Sequence, residues 1–174
     1  MNRRNAACAG VLAILSQAAP GAISDRNEVA EIFADRVEID QQKQVSRYLG
    51  NVEFSQGSVR VTGDDVVLET PEGELRKLDI RGAPATYREL NDEGQELRAT
   101  AERILYDTAA QTITLQGDAQ LCRGGEYFRS VYIEYNTLTQ AVNAGKPGAT
   151  EQERVRITLR PGNAQAPTDC AEMP

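Results

Sequence analysis

Histidine and tryptophan are both absent from the 174 residues, and aromatic residues make up only 5%. Without histidine, no Ser-His-Asp or Cys-His nucleophile arrangement is possible. Most catalytic zinc sites fall with it. Hydrophobic residues still account for 40% of the chain, enough for one domain with a core rather than a disordered coil. A core so poor in rings is apolar without being crowded. Cysteine is scarce too: Cys8, Cys122 and Cys170 are the whole supply, at spacings that fit no metal site. No metal and no cofactor is expected.

A long apolar run is also lacking. The longest, Ala6 to Leu15, covers 10 residues broken only by small ones, whereas a bilayer span needs roughly 20. Arg3 and Arg4 precede the run, and Ser16-Gln17-Ala18 and Ala22-Ile23-Ser24 place small residues where a signal peptidase reads them. Pro20-Gly21 ends any helix early. Residues 1–24 therefore read as a signal peptide cleaved between 18 and 25, which implies export to the periplasm. Cys8 precedes most of the apolar run, so it is not placed for lipidation. Cys122 and Cys170 would then meet an oxidising compartment, where one disulfide or two free thiols both remain open.

Positive charge is in short supply. Of 19 Lys+Arg, the signal segment removes Arg3 and Arg4, leaving 17 against 26 Asp+Glu, a net charge of −9. Nucleic acid, which is bound by neutralising phosphates with basic surface, is excluded as a partner.

What is present after residue 30 is alternation with period two. Tyr48, Val52 and Phe54 stand between Asn51 and Glu53; Val59 and Val61 flank Arg60; Leu78, Ile80, Ile113, Leu115, Ala119 and Leu121 continue the pattern. Such alternation puts one row of side chains on each face of a strand. Gln56-Gly57-Ser58, Pro71-Glu72-Gly73, Asn91-Asp92-Glu93-Gly94 and Gly124-Gly125 are the turns between runs. The one helical competitor is 25–33. The final alternating run is 154–160, and beyond it the segment 161–174 reads as a flexible tail.

The runs repeat. ADRVEID at 34–40 matches AERILYD at 101–107, and the same offset of 67 puts Gly50-Asn51-Val52 on Gly117-Asp118-Ala119, Gly57 on Gly124 and Val66 on Ile133. Repeated supersecondary units cannot each bury a face alone, so they must fold together. The implied fold is all-β, two facing antiparallel sheets of about a dozen or more short strands, with glycine at the bends.

Carboxylate pairs are the remaining candidates for chemistry. Asp64 and Asp65 are adjacent on a strand and point to opposite faces, so they cannot converge on one bond. Asp92-Glu93 sits in a turn. Gly124-Gly125 has neither the lysine nor the helix of a phosphate loop. Arg76, Lys77, Arg81 and Arg88 form the one local basic cluster, read as strand-surface charge ahead of a phosphate contact. The chain does not read as an enzyme.

Ala34 to Glu69, with Gly50-Asn51-Val52 and Asp64-Asp65-Val66, resembles the LptA/OstA-type domain of periplasmic lipopolysaccharide-transport proteins. So do Gly82-Ala83-Pro84-Ala85-Thr86-Tyr87, Ala101-Glu102-Arg103-Ile104-Leu105-Tyr106 and Gly117-Asp118-Ala119, and the likeness runs from 30 to 160. It implies an OstA-like β-jellyroll over 28–160, open at both ends, whose apolar interior takes the acyl chains of lipid A. Ile32, Val37, Ile39, Tyr48, Phe54, Tyr87, Ile104, Tyr106, Leu115 and Phe128 are the expected groove lining. It also implies a bridge carrying lipopolysaccharide from the inner to the outer membrane. An inner-membrane-anchored LptC-like partner would join the N-terminal edge at Ile32 and Val37. An outer-membrane LptD-like partner would join the C-terminal edge at Val155, Ile157 and Leu159, with head-to-tail self-association as the third contact. The alternative is an envelope adaptor that joins partners by β-augmentation without carrying lipid. Cys122 follows the inward Leu121, so it should face outward, near Gly124-Gly125.

Overall fold

The computed structural model describes residues 28–90, 94–148, 150–159 and 170. The signal segment, Asp92-Glu93 and nearly all of the C-terminal tail lie outside these residues. The described residues form ten antiparallel strands: β1 (Ala30–Phe33), β2 (Arg36–Asp40), β3 (Val45–Gln56), β4 (Val59–Glu69), β5 (Lys77–Leu90), β6 (Glu96–Asp107), β7 (Thr112–Arg123), β8 (Glu126–Asn136), β9 (Val142–Ala144) and β10 (Arg156–Thr158). Beside them are two three-residue 3-10 turns, Pro71–Gly73 and Glu151–Glu153. Of the segment 25–33, Ala30–Phe33 is strand, and none of its described residues is helical.

The all-β jellyroll is present, but its two layers are halves of one sheet rather than two sheets. β3 to β8 are 11 to 14 residues long and follow one another in strict order, β1-β3-β4-β5-β6-β7-β8-β10, with β2 on β3 and β9 on β8. Each neighbouring pair slips register once near its middle: between Leu49 and Val52, Thr62 and Asp65, Arg81 and Ala85, Thr100 and Arg103, and Gln116 and Ala119. Bulges bend a strand without ending it. A line of them across the sheet folds it into two arms. We call these the β1 arm and the β2 arm after the strand at the N-terminal edge of each.

The repeat is exact in backbone terms at the bend. Gly50 and Gly117 both have φ of 75°, and each is followed by another left-handed residue, Asn51 at 44° and Asp118 at 38°. A Cβ on Gly50 would collide with the Asp35 carboxylate, and one on Gly117 with the Glu102 carboxylate. Asp35 and Glu102 are themselves partners under the 67-residue offset. The turns repeat as well. Asp40 accepts from the amides of Gln42 and Lys43, Asp107 from those of Ala109 and Ala110, and Asn136 from those of Leu138 and Thr139. Four residues after each cap, Gln44, Gln111 and Gln140 have φ of 54° to 58°.

Both edges are split at the bend. Where β3 bulges, the chain between β1 and β2 leaves the ladder, Asp35 N–H donates to Gly50 O at 3.0 Å and Asn51 donates to Asp35 at 2.9 Å. The N-terminal edge expected at Ile32 and Val37 is therefore two strands, Ile32 on β1 and Val37 on β2. At the opposite edge, β9 belongs to the β2 arm and β10 to the β1 arm. The expected last strand, 154–160, shrinks to Arg156–Thr158, with Val155 and Leu159 flanking it.

Candidate functional site: the interior between the arms

Three apolar rows cross the inner face from edge to edge. In the β1 arm, Ile32, Phe54, Val61, Tyr87, Ala99, Leu121, Phe128 and Ile157 are successive cross-strand partners. In the β2 arm one row runs Val37, Tyr48, Val66, Ile80, Ile104, Leu115, Ile133, Ala144. The next runs Ile39, Ser46, Leu68, Leu78, Tyr106, Ile113, Tyr135, Val142. No ionisable carboxylate or ammonium interrupts any of them.

The rows are shut in the middle and open at the ends. Val66, Ile80, Ile104, Ile113, Leu115, Leu121 and Ile133 have no exposed surface, whereas Val37 is 50%, Ile39 60% and Ile157 52% exposed. Of the residues expected to line a groove, Phe54, Tyr87, Ile104 and Leu115 are buried, Ile32, Tyr48, Tyr106 and Phe128 are half-buried against the core, and Val37 and Ile39 emerge at the N-terminal edge. Ile157 emerges at the C-terminal edge. At the centre the inward side chains of the two arms bury one another.

Besides the shared apolar core, two side-chain contacts between the arms stand out among the described residues. The rings of Tyr87 and Tyr106 meet at 6.2 Å between centroids, tilted by 60°. Nearer the C-terminal edge, Arg123 of the β1 arm donates to Gln140 O of the β2 arm at 2.6 Å and lies 5.8 Å from the Tyr135 ring. It also pairs with Glu126 at 3.2 Å. Arg123 was not legible as a site residue, since in sequence it is one more charge beside a Gly-Gly turn.

The outer face carries the charge. In the β2 arm, Arg47 grips Asp65 through two hydrogen bonds of 2.8 and 2.6 Å, and Arg103 grips Asp79 through two of 2.8 and 2.7 Å. The Arg47 hydrogen bonds hold the Asp65 carboxyl below its usual range, and Asp65 in turn raises Arg47. Asp79 likewise raises Arg103. The basic cluster seen in sequence is dispersed: Lys77 and Arg81 lie on the β2 arm, Arg81 against Asp79 at 3.6 Å, and Arg88 lies on the β1 arm against Glu96. Strand register assembles a different one from Arg60, Arg88 and Arg98.

Cys122 is on the outer face, as its place beside inward Leu121 implies, yet it is fully buried. Cys170 covers it: the two form a disulfide, and the Cys170 amide donates to Glu96 at 3.2 Å. Cys170 is thus anchored on the β1 arm. Among the described residues, no group of His, Cys, Asp and Glu is placed to hold a metal, and no helix is long and apolar enough to cross a membrane.

The same architecture and sequence pattern recur in known proteins. Over 152 residues, 86% of this chain and 80% of the relative, the sequence is 28% identical to the lipopolysaccharide export system protein LptA of Escherichia coli K12. It is 28% identical over 144 residues to the lipopolysaccharide export system protein LptH of Pseudomonas aeruginosa, covering 79% of this chain and 82% of that one. The crystal structure of LptH, the LptA-homologous periplasmic component of the lipopolysaccharide transport device of that organism, superposes with a TM-score of 0.70 at 27% identity. The superposition covers 79% of this chain and 99% of LptH. Residues 31–141, which hold the bulge line and nearly all of the three rows, match the family described as LptA/(LptD N-terminal domain) LPS transport protein, and the chain belongs to that family.

Proposed function

We propose that this chain is a periplasmic lipopolysaccharide-transport protein that shelters the acyl chains of lipid A between its arms and passes them along a row of like domains. The observation that carries this reading is the continuity of the three apolar rows, which are buried at the centre, reach both edges and each end bare at one of them, at Val37 and Ile39 on the N-terminal edge and Ile157 on the C-terminal edge. A row that ended inside the sheet would serve a core alone; one that reaches both edges offers a cargo a way in and a way out. Relatives named as lipopolysaccharide export proteins support the cargo.

The central side chains are buried against one another, so the arms part when lipid loads. The bulge line is the hinge. Parting costs the contact between facing rows, and each acyl methylene that takes its place leaves water with a gain of about 0.8 kcal/mol. Exchange of one apolar partner for another needs no polar recognition inside. Arg123, tied to Gln140 across the mouth, is released as the arms separate near the C-terminal edge.

Assembly follows from strand parity. Each arm is eight strands wide and every neighbouring pair is antiparallel. With an even number, the first and last strands run in opposite directions. A second copy placed in line therefore continues the antiparallel sheet in both arms, β10 on β1 and β9 on β2. Such a contact is heterologous and does not close on itself, so it gives a row. An LptC-like domain at the N-terminal edge and an LptD-like domain at the C-terminal edge would end that row at the two membranes.

The closed centre favours a second reading, an envelope adaptor that uses only its edges. A photo-crosslinking residue at Tyr106 separates the two. Lipopolysaccharide captured at Tyr106 but not at Leu138, an exposed turn residue, supports transport; no capture at Tyr106 during active export leaves the adaptor.

A further inference from the structure

On the outer face of the β1 arm, three arginines stand in one cross-strand row: Arg60 on β4 is the partner of Arg88 on β5, which is the partner of Arg98 on β6. Like charges placed directly opposite one another across strands destabilise a sheet. Here three occur in succession in a chain with net charge −7. Among the described residues, Glu96 answers two of them. Glu96 Oε1 meets Arg88 Nε and, at 3.1 Å, Arg98 Nη2, while its Oε2 accepts the Cys170 amide at 3.2 Å. Glu96 is only 7% exposed, sealed by Cys170 and the disulfide to Cys122. Arg60 spends one nitrogen on the carbonyls of Gly57 and Val59, at 2.6 and 2.7 Å.

Each guanidinium has five N–H donors, more than Glu96 and the carbonyls of Gly57 and Val59 take up. The three arginines border a shallow cavity of about 300 Å3 lined by Arg60, Arg88, Arg98, Thr86 and Thr100 together with Pro84 and Tyr87. The next row across the strands is hydroxylic, Thr62, Thr86 and Thr100, with Thr62 Oγ1 and Thr86 Oγ1 2.6 Å apart. Arginine forks beside threonine hydroxyls present the donor geometry that a tetrahedral oxyanion accepts, in paired hydrogen bonds.

We propose that this cavity is a binding site for phosphate groups, either the phosphomonoesters of a phosphorylated glycolipid headgroup or a free phosphate or pyrophosphate ion. It lies on the face opposite the apolar interior, so it does not depend on that interior's taking acyl chains. The anion relieves the repulsion within the row, which Glu96 offsets only in part. Glu96 and the Cys170 clasp hold Arg88 and Arg98 in place.

The test uses the folded, oxidised protein without its first 24 residues. Pyrophosphate is titrated and arginine Nε–Hε NMR signals are followed, with urea midpoints recorded for every variant. Saturable shifts at Arg60, Arg88 and Arg98 are expected. Arg60→Gln, an exposed site, should weaken the affinity at least threefold, and Arg88→Lys, which keeps charge but loses the fork, at least tenfold. A second arm compares intact with dephosphorylated lipopolysaccharide, with lipid capture at Tyr106 recorded alongside. A loss of affinity on dephosphorylation that Arg88→Lys abolishes identifies the headgroup as the source; binding of pyrophosphate alone identifies a free anion. Absence of saturable shifts in the native protein, or equal affinity in Arg88→Lys, overturns the site whether or not Tyr106 captures lipid.

Discussion

Tyr87 and Tyr106 touch although the sheet, laid flat, would keep them far apart. Tyr106 is the partner of Leu78 on β5, nine residues from Tyr87 along the same strand. At roughly 3.3 Å per residue the flat separation is about 30 Å, yet the ring centroids are 6.2 Å apart. The difference is a direct measure of how far the bulge line folds one arm over the other. Tyr87 is 1% exposed and its hydroxyl donates to Glu89 at 2.6 Å.

Tyr87→Ala should therefore unfold the sheet at lower urea, with a loss of about 3–5 kcal/mol, the range for a buried aromatic truncated to alanine. Tyr87→Phe keeps the ring and loses one hydrogen bond, about 1 kcal/mol. Similar midpoints for the two variants would mean that the arms do not rest on this ring.

The two bulges at Gly50 and Gly117 should respond alike. Each has a left-handed φ, and each would press a new Cβ onto a carboxylate, Asp35 or Glu102. Gly50→Ala and Gly117→Ala should each cost about 1–2 kcal/mol for the left-handed conformation with a side chain, plus a steric part from the carboxylate. A second change, Asp35→Ala or Glu102→Ala, should recover the steric part and leave the backbone part. Denaturation midpoints check both, and a tolerant Gly50 beside an intolerant Gly117 would break the equivalence.

Much of this was legible because it is local or periodic. Alternation placed Val61, Ile80, Leu115 and Leu121 on the inner face, and the 67-residue offset paired Gly50 with Gly117 and Asp35 with Glu102 before any coordinates. Family resemblance gave the jellyroll. What depends on strand register was not legible. Nothing in sequence says that Arg60, Arg88 and Arg98 become neighbours, while Arg76, Lys77, Arg81 and Arg88 do not form one cluster in space. The number of sheets was misjudged because a bulge and a strand end look the same in one dimension: glycine and a broken alternation. Burial along the rows was not legible either, because alternation reports which face a residue is on, not how closely the facing wall packs on it. Thus Ile104 and Leu115 are buried while Val37 and Ile39, on the same face, are bare.

Acid should weaken the β2 arm through Asp65. Its carboxyl is held below the usual range by Arg47, so the pair contributes stability at pH values above the unfolded aspartate value, about 3.9. That contribution is lost as pH falls through the lower folded value. Arg47 is 47% and Asp65 21% exposed. Solvent screening therefore keeps the effect small. The stability difference between native protein and Asp65→Asn should be largest near neutrality and shrink below pH 4. A difference that stays constant down to the acid limit would remove the Arg47 clamp as its cause.

Reduction of the Cys122–Cys170 disulfide should lower stability and expose Cys122. The bridge spans 48 residues, a loop length for which the chain-entropy estimate is about 4 kcal/mol. In protein lacking the first 24 residues, thiol labelling after denaturation without reductant should give no labels, and with reductant two. Reduction also frees the amide that Cys170 donates to Glu96, so Arg98 should lose order in the same experiment. Two labels without reductant would rule the bridge out.

The edges are where assembly can be tested with least disturbance to the fold. In a row of copies, the β1-arm row would pass from Ile157 of one copy to Ile32 of the next. Antiparallel register with Ile32 opposite Ile157 then puts Phe33 opposite Arg156, a flat ring beside a guanidinium. Ile157 is 52% and Phe33 64% exposed in the single chain, so each has apolar surface to lose on stacking. Ile157→Asp places a charge at the end of the row. In the single chain that charge sits in water and costs the fold little; on stacking it must be stripped of water between Phe128 and the incoming Ile32, which is highly unfavourable. Sedimentation should show concentration-dependent rows for the native protein and single chains for Ile157→Asp, at unchanged thermal midpoint. Ile32→Asp mixed with Ile157→Asp supplies the decisive arm, because each retains one native edge and the two can pair only once. Dimers that form in the mixture and stop there establish a heterologous joint between the β1 and β10 edges; rows that persist in Ile157→Asp alone place the joint elsewhere.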